Sequence, residues 1–407
     1  MRGHQLGYRE IHFRSLKCAR PTLTHTVLAG PKTNAYDGWD ANQYERYIID
    51  LALFGTNLIE FIPWSTDDVL FSPMFTLGPK EMLAQTTAAC EKWGIDVGLW
   101  YPMKYKDYND RATLRQAQAE WTELLGLLAR LDEVQIPAGD PGSHSPSELM
   151  HATTLWAQAM RHKFPDARLW LGPQEWSPSE MEQWWQLAYN KSVSACLDGL
   201  VYGPHTAVTL VEFVRRAVDW PVRLYPDITH SLTTQFPVPK WDRALAMTES
   251  RETVNPRPHQ YGHIAALHLS QGGGKCVGFS SYSEGANDDL NKFIWSALAW
   301  GADSVIDQPG STPEPAPTLA PNSTRLRDFV QRTVFEYANA LISSAYALQL
   351  SDVIFGLEAA WIGPLSKNDE VNATLTTVRR LQQQSTQAAA RDMAGNWRWQ
   401  QLQYRSM

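Results

Sequence analysis

The chain has 407 residues, 43% hydrophobic and 19% charged, a globular balance with enough apolar side chains for a large core. Its net charge is −7 and it has no basic stripe, which excludes nucleic acid as the main partner, since neutralising phosphates needs clustered Lys and Arg. No apolar run reaches membrane-spanning length, and the opening MRGHQLGYR is not a secretory leader, so a cytoplasmic location is the default expectation. The 17 Trp and 15 Tyr read first as core filling; together they also suit a site that stacks on flat, partly apolar faces such as sugar rings. Cys18, Cys90, Cys196 and Cys276 lie too far apart for a zinc motif or a disulfide framework.

In chain order, HQLGY (4–8) reads as a first strand. The spacing of Tyr44, Tyr47, Ile48 and Leu51 predicts a helix over 39–55, followed by a strand at 56–63. The alternation continues with helix 80–94, strand 95–103, helix 110–131 and strand 133–139. Helix 145–164 opens on a plausible Ser cap and leads to strand 167–174, helix 177–190 and strand 197–204. Helix 209–218, strand 222–227, helix 259–270, strand 275–283 and helix 287–300 complete the run. Eight short apolar strands, each followed by a helix, predict an α/β fold of the (β/α)8 TIM-barrel type. No GxGxxG follows any strand, which counts against a dinucleotide-binding sheet. Residues 307–324 are rich in Pro, Ser and Thr and read as a linker between a barrel over 1–306 and a helical C-terminal domain over 325–407.

Barrel enzymes carry their chemistry at the C-terminal ends of the strands. Read in order, those ends offer Arg2, His4 and Gln5; then Glu60 and Trp64; then Tyr101; then Asp140 in the tight turn GDPG. The later ends offer Glu175; Tyr202 and His205; Asp227 and His230; and Tyr282 and Glu284. Carboxylates beside aromatic and amide side chains suit glycoside hydrolysis, in which one acid protonates the leaving oxygen and a second carboxylate attacks or activates water. Each acid also has a structural reading. Asp140 can fix a turn or cap a helix, Asp227 can be a turn residue, Glu284 can bond a backbone amide, and Glu60 is either a site residue or a buried ion pair. Asp288 and Asp289 read as first-turn acids that complement a helix dipole. His205, Asp227 and His230 could share a metal, but no HxH or HExxH spacing supports it, so no metal or other cofactor is expected.

RGHQLGYR, PKTNAYDGWD, FGTNLIEFIP, GDPG, RLYPDITHS and YSEGANDDLNKFIWSALAW together resemble barrel-type glycoside hydrolases of the broad β-hexosaminidase and α-glucuronidase group, in its bacterial-type members. The resemblance covers roughly residues 1–300 and implies a barrel that hydrolyses a glycosidic bond in a carbohydrate substrate. Three departures matter. Asp140 is followed by Pro141, so the acid pair that hexosaminidases of this group place after the fourth strand is absent, which speaks against N-acetyl-assisted catalysis. Residues 10–30 separate GYR from PKTNAYDGWD, and they read as an insertion or a translated intron, hence a eukaryotic source. A chain that opens on its first strand also reads as N-terminally truncated relative to such enzymes.

The expectation is therefore a glycosidase with Asp140 as general acid and Asp227 or Glu284 as the partner carboxylate. Arg2, His4, Gln5, Lys32, Asn34, Trp64, Tyr101, Glu175, Tyr202, His230 and Tyr282 are expected to line the sugar pocket. Arg2, Lys32 and His230 would suit an acidic sugar. The alternative is a non-catalytic carbohydrate-binding barrel or an inactive, truncated paralogue; the sequence leaves the oligomeric state open.

Overall fold

The computed structural model describes residues 2–7 (backbone only), 39–63, 78–139, 144–229, 235–238, 240, 256–283, 288–305, 324–385, 393 and 395–406. Eight strands close into a parallel barrel in chain order. They are β1 (Arg2–Gly7), β2 (Leu58–Ile62), β3 (Asp96–Trp100), β4 (Glu133–Pro137), β5 (Arg168–Gly172), β6 (Gly199–Tyr202), β7 (Val222–Leu224) and β8 (Cys276–Ser281). The first strand pairs with the last, Arg2 opposite Phe279, so no edge is left open. Between strands run α1 (Ala41–Leu53), α2 (Pro79–Lys92), α3 (Arg111–Leu127), α4 (Pro146–Lys163), α5 (Pro178–Ala188), α6 (Lys191–Ser194), α7 (Leu210–Arg216) and α8 (Pro258–Gly272). After β8 come α9 (Asp289–Val305), α10 (Thr324–Leu341), α11 (Ala347–Ala360), α12 (Asp369–Ser385) and α13 (Trp397–Ser406). The (β/α)8 architecture expected from the periodicity is thus observed, with most predicted ends a few residues too long.

The helices start where the chain supplies side-chain acceptors. Asp40 takes the Gln43 amide at 2.8 Å while Gln43 returns a bond to the Asp40 amide at 3.0 Å, a reciprocal cap for α1. Ser177 and Glu180 repeat the device for α5. Asp110, Ser145 and Thr209 cap α3, α4 and α7.

The described residues fall into two compact units. The first holds the eight strands and α1–α7; the second holds α9–α13 and most of α8. The barrel of the first unit is filled in layers by inward-facing side chains. One layer is charged. Arg223 on β7 bonds Glu60 on β2 at 2.8 Å, and also bonds Glu133 and Gln135 on β4. Arg223, Glu60 and Glu133 have no solvent exposure. Glycine makes the room: a Cβ on Gly98 would stand 3.2 Å from Glu60 Cβ and 3.4 Å from Glu133 Cγ. On β6, a Cβ on Gly199 would fall 2.0 Å from the Trp170 ring.

In the second unit the acids of the α9 first turn are structural, as expected. Asp289 accepts from Tyr337 at 2.6 Å and from Arg398 at 2.7 Å. Asp288 accepts from Thr229 and from Ser283, the latter at 2.9 Å. Lys292, one turn on, is buried, and burial pushes its pKa down to about 8 against the pull of Asp288 and Asp289. Among the described residues no helix is long and apolar enough to cross a membrane.

The charged layer is testable. Burial raises the Glu133 pKa from 4.5 to about 7, with the Arg223 charge opposing. A carboxyl with a raised folded-state pKa stabilises the fold fully below its unfolded value, and that contribution is lost as pH rises through about 7. Stability should therefore fall by roughly 3 kcal/mol across this window, and Glu133→Gln should shrink the slope in urea unfolding at a series of pH values, leaving the part due to Glu60, whose pKa burial also raises. Arg223→Met leaves two buried acids without their cation and should cost about 3–5 kcal/mol, enough to show as a large drop in Tm.

Candidate active site at the barrel mouth

The layer nearer the C-terminal strand ends is aromatic. Ile62, Trp100, Trp170, Val201 and Tyr225 form one buried cluster, with the partly buried Tyr282 packed against it. These side chains lie two residues beyond the polar layer on β2 and β7, so they floor the mouth of the barrel. Gly203 is small because Tyr225 is large: a Cβ there would lie 2.7 Å from Tyr225 Cδ1. Tyr225 and Tyr282 meet edge to face at 6.1 Å. The Tyr282 amide donates to the Pro226 carbonyl at 2.8 Å, and Asp227 forms a parallel bridge with Tyr282. Asp227 is thus held between the ends of β7 and β8 at 4% exposure.

The loops after β4, β5 and β6 are tied in series. The Gly139 amide donates to the Gln174 carbonyl at 2.8 Å, and the Glu175 amide donates to the His205 carbonyl at 3.2 Å. Glu175 Oε1 and His205 Nδ1 lie 3.4 Å apart. Gly139 sits hard against this tie, since a Cβ on it would be 2.7 Å from both the Gln174 oxygen and Glu175 Cβ. The far side of the β4 loop is anchored by His144. Its Nε2 donates to the Met103 carbonyl at 3.0 Å, its Nδ1 lies 3.3 Å from Glu148, and its ring packs edge to face on Tyr108. Trp176 donates to the His144 carbonyl at 3.2 Å. The β4 loop is therefore fixed at both ends, on Gly139 and on His144.

Of the expected site residues, Asp227, Tyr282 and Glu175 stand at the mouth or on its loops. Tyr101 and Tyr202 do not turn their rings inward. Each follows an inward-facing residue, Trp100 and Val201, and strand alternation sends it outward. The Tyr101 ring packs on Trp121 of α3 at 4.5 Å, and the Tyr202 ring packs on Phe213 of α7 at 5.5 Å. Glu60, left open between site and ion pair, is the buried partner of Arg223. Asp140, Glu284, Lys32, Asn34, Trp64 and His230 lie outside the described residues, as do residues 10–30 and the segment 306–323, and Arg2, His4 and Gln5 are described by their backbone alone. His144 was missed by sequence reasoning. Its signal was slight, a histidine one residue before the Ser145 cap. Among the described residues, no three His, Cys, Asp or Glu side chains gather as a metal site.

No family model matches the chain, and no curated protein matches it. Among solved structures it is similar to CpGH84B, with a TM-score of 0.53 at 9% identity, over 90% of this chain and 64% of that one. The chain thus spans less than two thirds of that protein's length. Looser likenesses are an exo-β-1,4-mannosidase, Op5Man5, from Opitutaceae bacterium strain TAV5 (13% identity, 83% of this chain, 60% of that one, TM-score 0.43) and a mutant O-GlcNAc hydrolase from Thermobaculum terrenum (11% identity, 90% and 91%, TM-score 0.36). At such identities the likeness to CpGH84B establishes the fold.

The loop tie makes a prediction. Gly139→Ala forces a methyl group into the Gln174–Glu175 backbone and should cost about 1–3 kcal/mol. Denaturant unfolding measures it; unchanged stability would mean that the two loops separate freely.

Proposed function

We propose that the chain is a glycosidase that hydrolyses an O-glycosidic bond with a pair of carboxylates at the C-terminal face of the barrel. The observation that carries this reading is Asp227, a nearly buried acid held between the ends of β7 and β8 beside the Tyr225–Tyr282 pair. A positioned carboxylate is what attack on an anomeric carbon, or activation of water there, requires, and the aromatic floor beside it offers a face for a sugar ring. Asp140 follows Gly139, whose amide is tied to the Gln174 carbonyl, and it is assigned the general acid role. Asp227 takes the nucleophile or base role, with Glu284 as the other candidate. Arg2, His4, Gln5, Lys32, Asn34, Trp64, Glu175, His230 and Tyr282 are assigned to the sugar. The same reading keeps the division into a barrel over 1–306, a linker over 307–324 and a helical domain over 325–407. Its resemblance to the β-hexosaminidase and α-glucuronidase group makes hexosaminides and uronides the first substrates to try.

Asp140→Asn and Asp227→Asn should each lower kcat by about 10²–10⁴-fold on any aryl glycoside that the chain cleaves, with KM changed far less. A variant that keeps more than about a tenth of the activity removes that residue from its role.

A further inference from the structure

Glu175 and His205 depart from ordinary backbone geometry at neighbouring strand ends. Glu175, three residues after β5, has φ +64°, and His205, three residues after β6, has φ +59°. Left-handed backbone at a residue with a side chain costs roughly 1 kcal/mol or more, and more for glutamate than for histidine. The two residues face each other, joined by the Glu175 amide on the His205 carbonyl and by the 3.4 Å approach of carboxylate and imidazole. The side chains nevertheless remain 48% and 55% exposed. An exposed ion pair contributes about 0–1 kcal/mol, which does not offset two strained residues. Strained non-glycine backbone clusters at active sites and ligand clamps, where side chains are held toward a ligand.

We propose that Glu175 and His205 form a ligand-contacting dyad that grips adjacent hydroxyl groups of a sugar ring at the β5–β6 side of the mouth. The ligand class rests on the glycosidase reading above. The carboxylate accepts from one hydroxyl, and the imidazole donates to or accepts from its neighbour. Their 3.4 Å spacing suits a vicinal diol, and both side chains are about half exposed to solvent. Glu175 also lies directly against Gly139, where the chain leaves β4.

Glycine separates this role from a structural one, because it adopts positive φ without strain. Glu175→Gly and His205→Gly should leave Tm unchanged or raise it. Each should raise KM for a cleaved glycoside by about tenfold while changing kcat less, since each removes a hydrogen bond to the sugar. Glu175→Gln, which keeps a hydrogen-bonding group, should recover part of the loss. Raised Tm with unchanged KM would overturn the dyad, and a clear fall in Tm would make it a structural clasp. If the wild-type chain releases no sugar, the glycosidase reading fails on its own. The dyad is then tested by the imidazole NMR signals of His205, assigned with His205→Gly, during titration with methyl glycosides that carry vicinal diols. A saturable shift supports sugar binding at the dyad, and no shift with any of them overturns it.

Discussion

One guanidinium, that of Arg223, joins three strands across the lumen of the barrel. It reaches Glu60 on β2 and both Glu133 and Gln135 on β4, all without exposure to solvent beyond 1%. A cation in that position is tolerable only if the barrel is closed and acids surround it, and the acids are tolerable only if the cation stays. Gly98 and Gly199 are the other half of the constraint, since they leave the space that the charged and aromatic side chains occupy. Burial of Glu133 raises its pKa to about 7, the Arg223 charge opposes that shift, and the neighbouring Glu60 carboxylate adds a smaller push in the same direction as burial.

The mouth is built on that plug. Two residues further along the same strands, Ile62 and Tyr225 replace charge with apolar surface, joined there by Trp100 and Trp170. Asp227 lies two residues beyond Tyr225 at the rim. After β4, β5 and β6, Gly139, Gln174, Glu175 and His205 link three loops, while His144 bonds the Met103 carbonyl on the β3 side. The described ends of these loops are thus tied to one another at the C-terminal face of the barrel.

The barrel was legible because its signal is local. Short apolar strands and capped helices repeat at close spacing, and Asp40, Ser145 and Ser177 mark helix starts in the sequence itself. The site was less legible because its determinants are distant or depend on parity. Nothing near Glu60 identifies its partner, which lies 163 residues away. Tyr101 and Tyr202 sit at strand ends like Tyr225, yet one step of alternation sends their rings to the helices outside. The strained turn at Glu175 has no sequence signature, since neither it nor His205 is a glycine.

The most direct measurement is sugar release from a panel of aryl hexosaminides, uronides and sialosides, run on the full 407-residue chain and on one lacking residues 10–30. Turnover of at least one glycoside by either chain, lost in the Asp227→Asn variant, is the predicted result. Two folded chains that bind a sugar but cleave none of the panel would contradict a catalytic barrel and leave a carbohydrate-binding one.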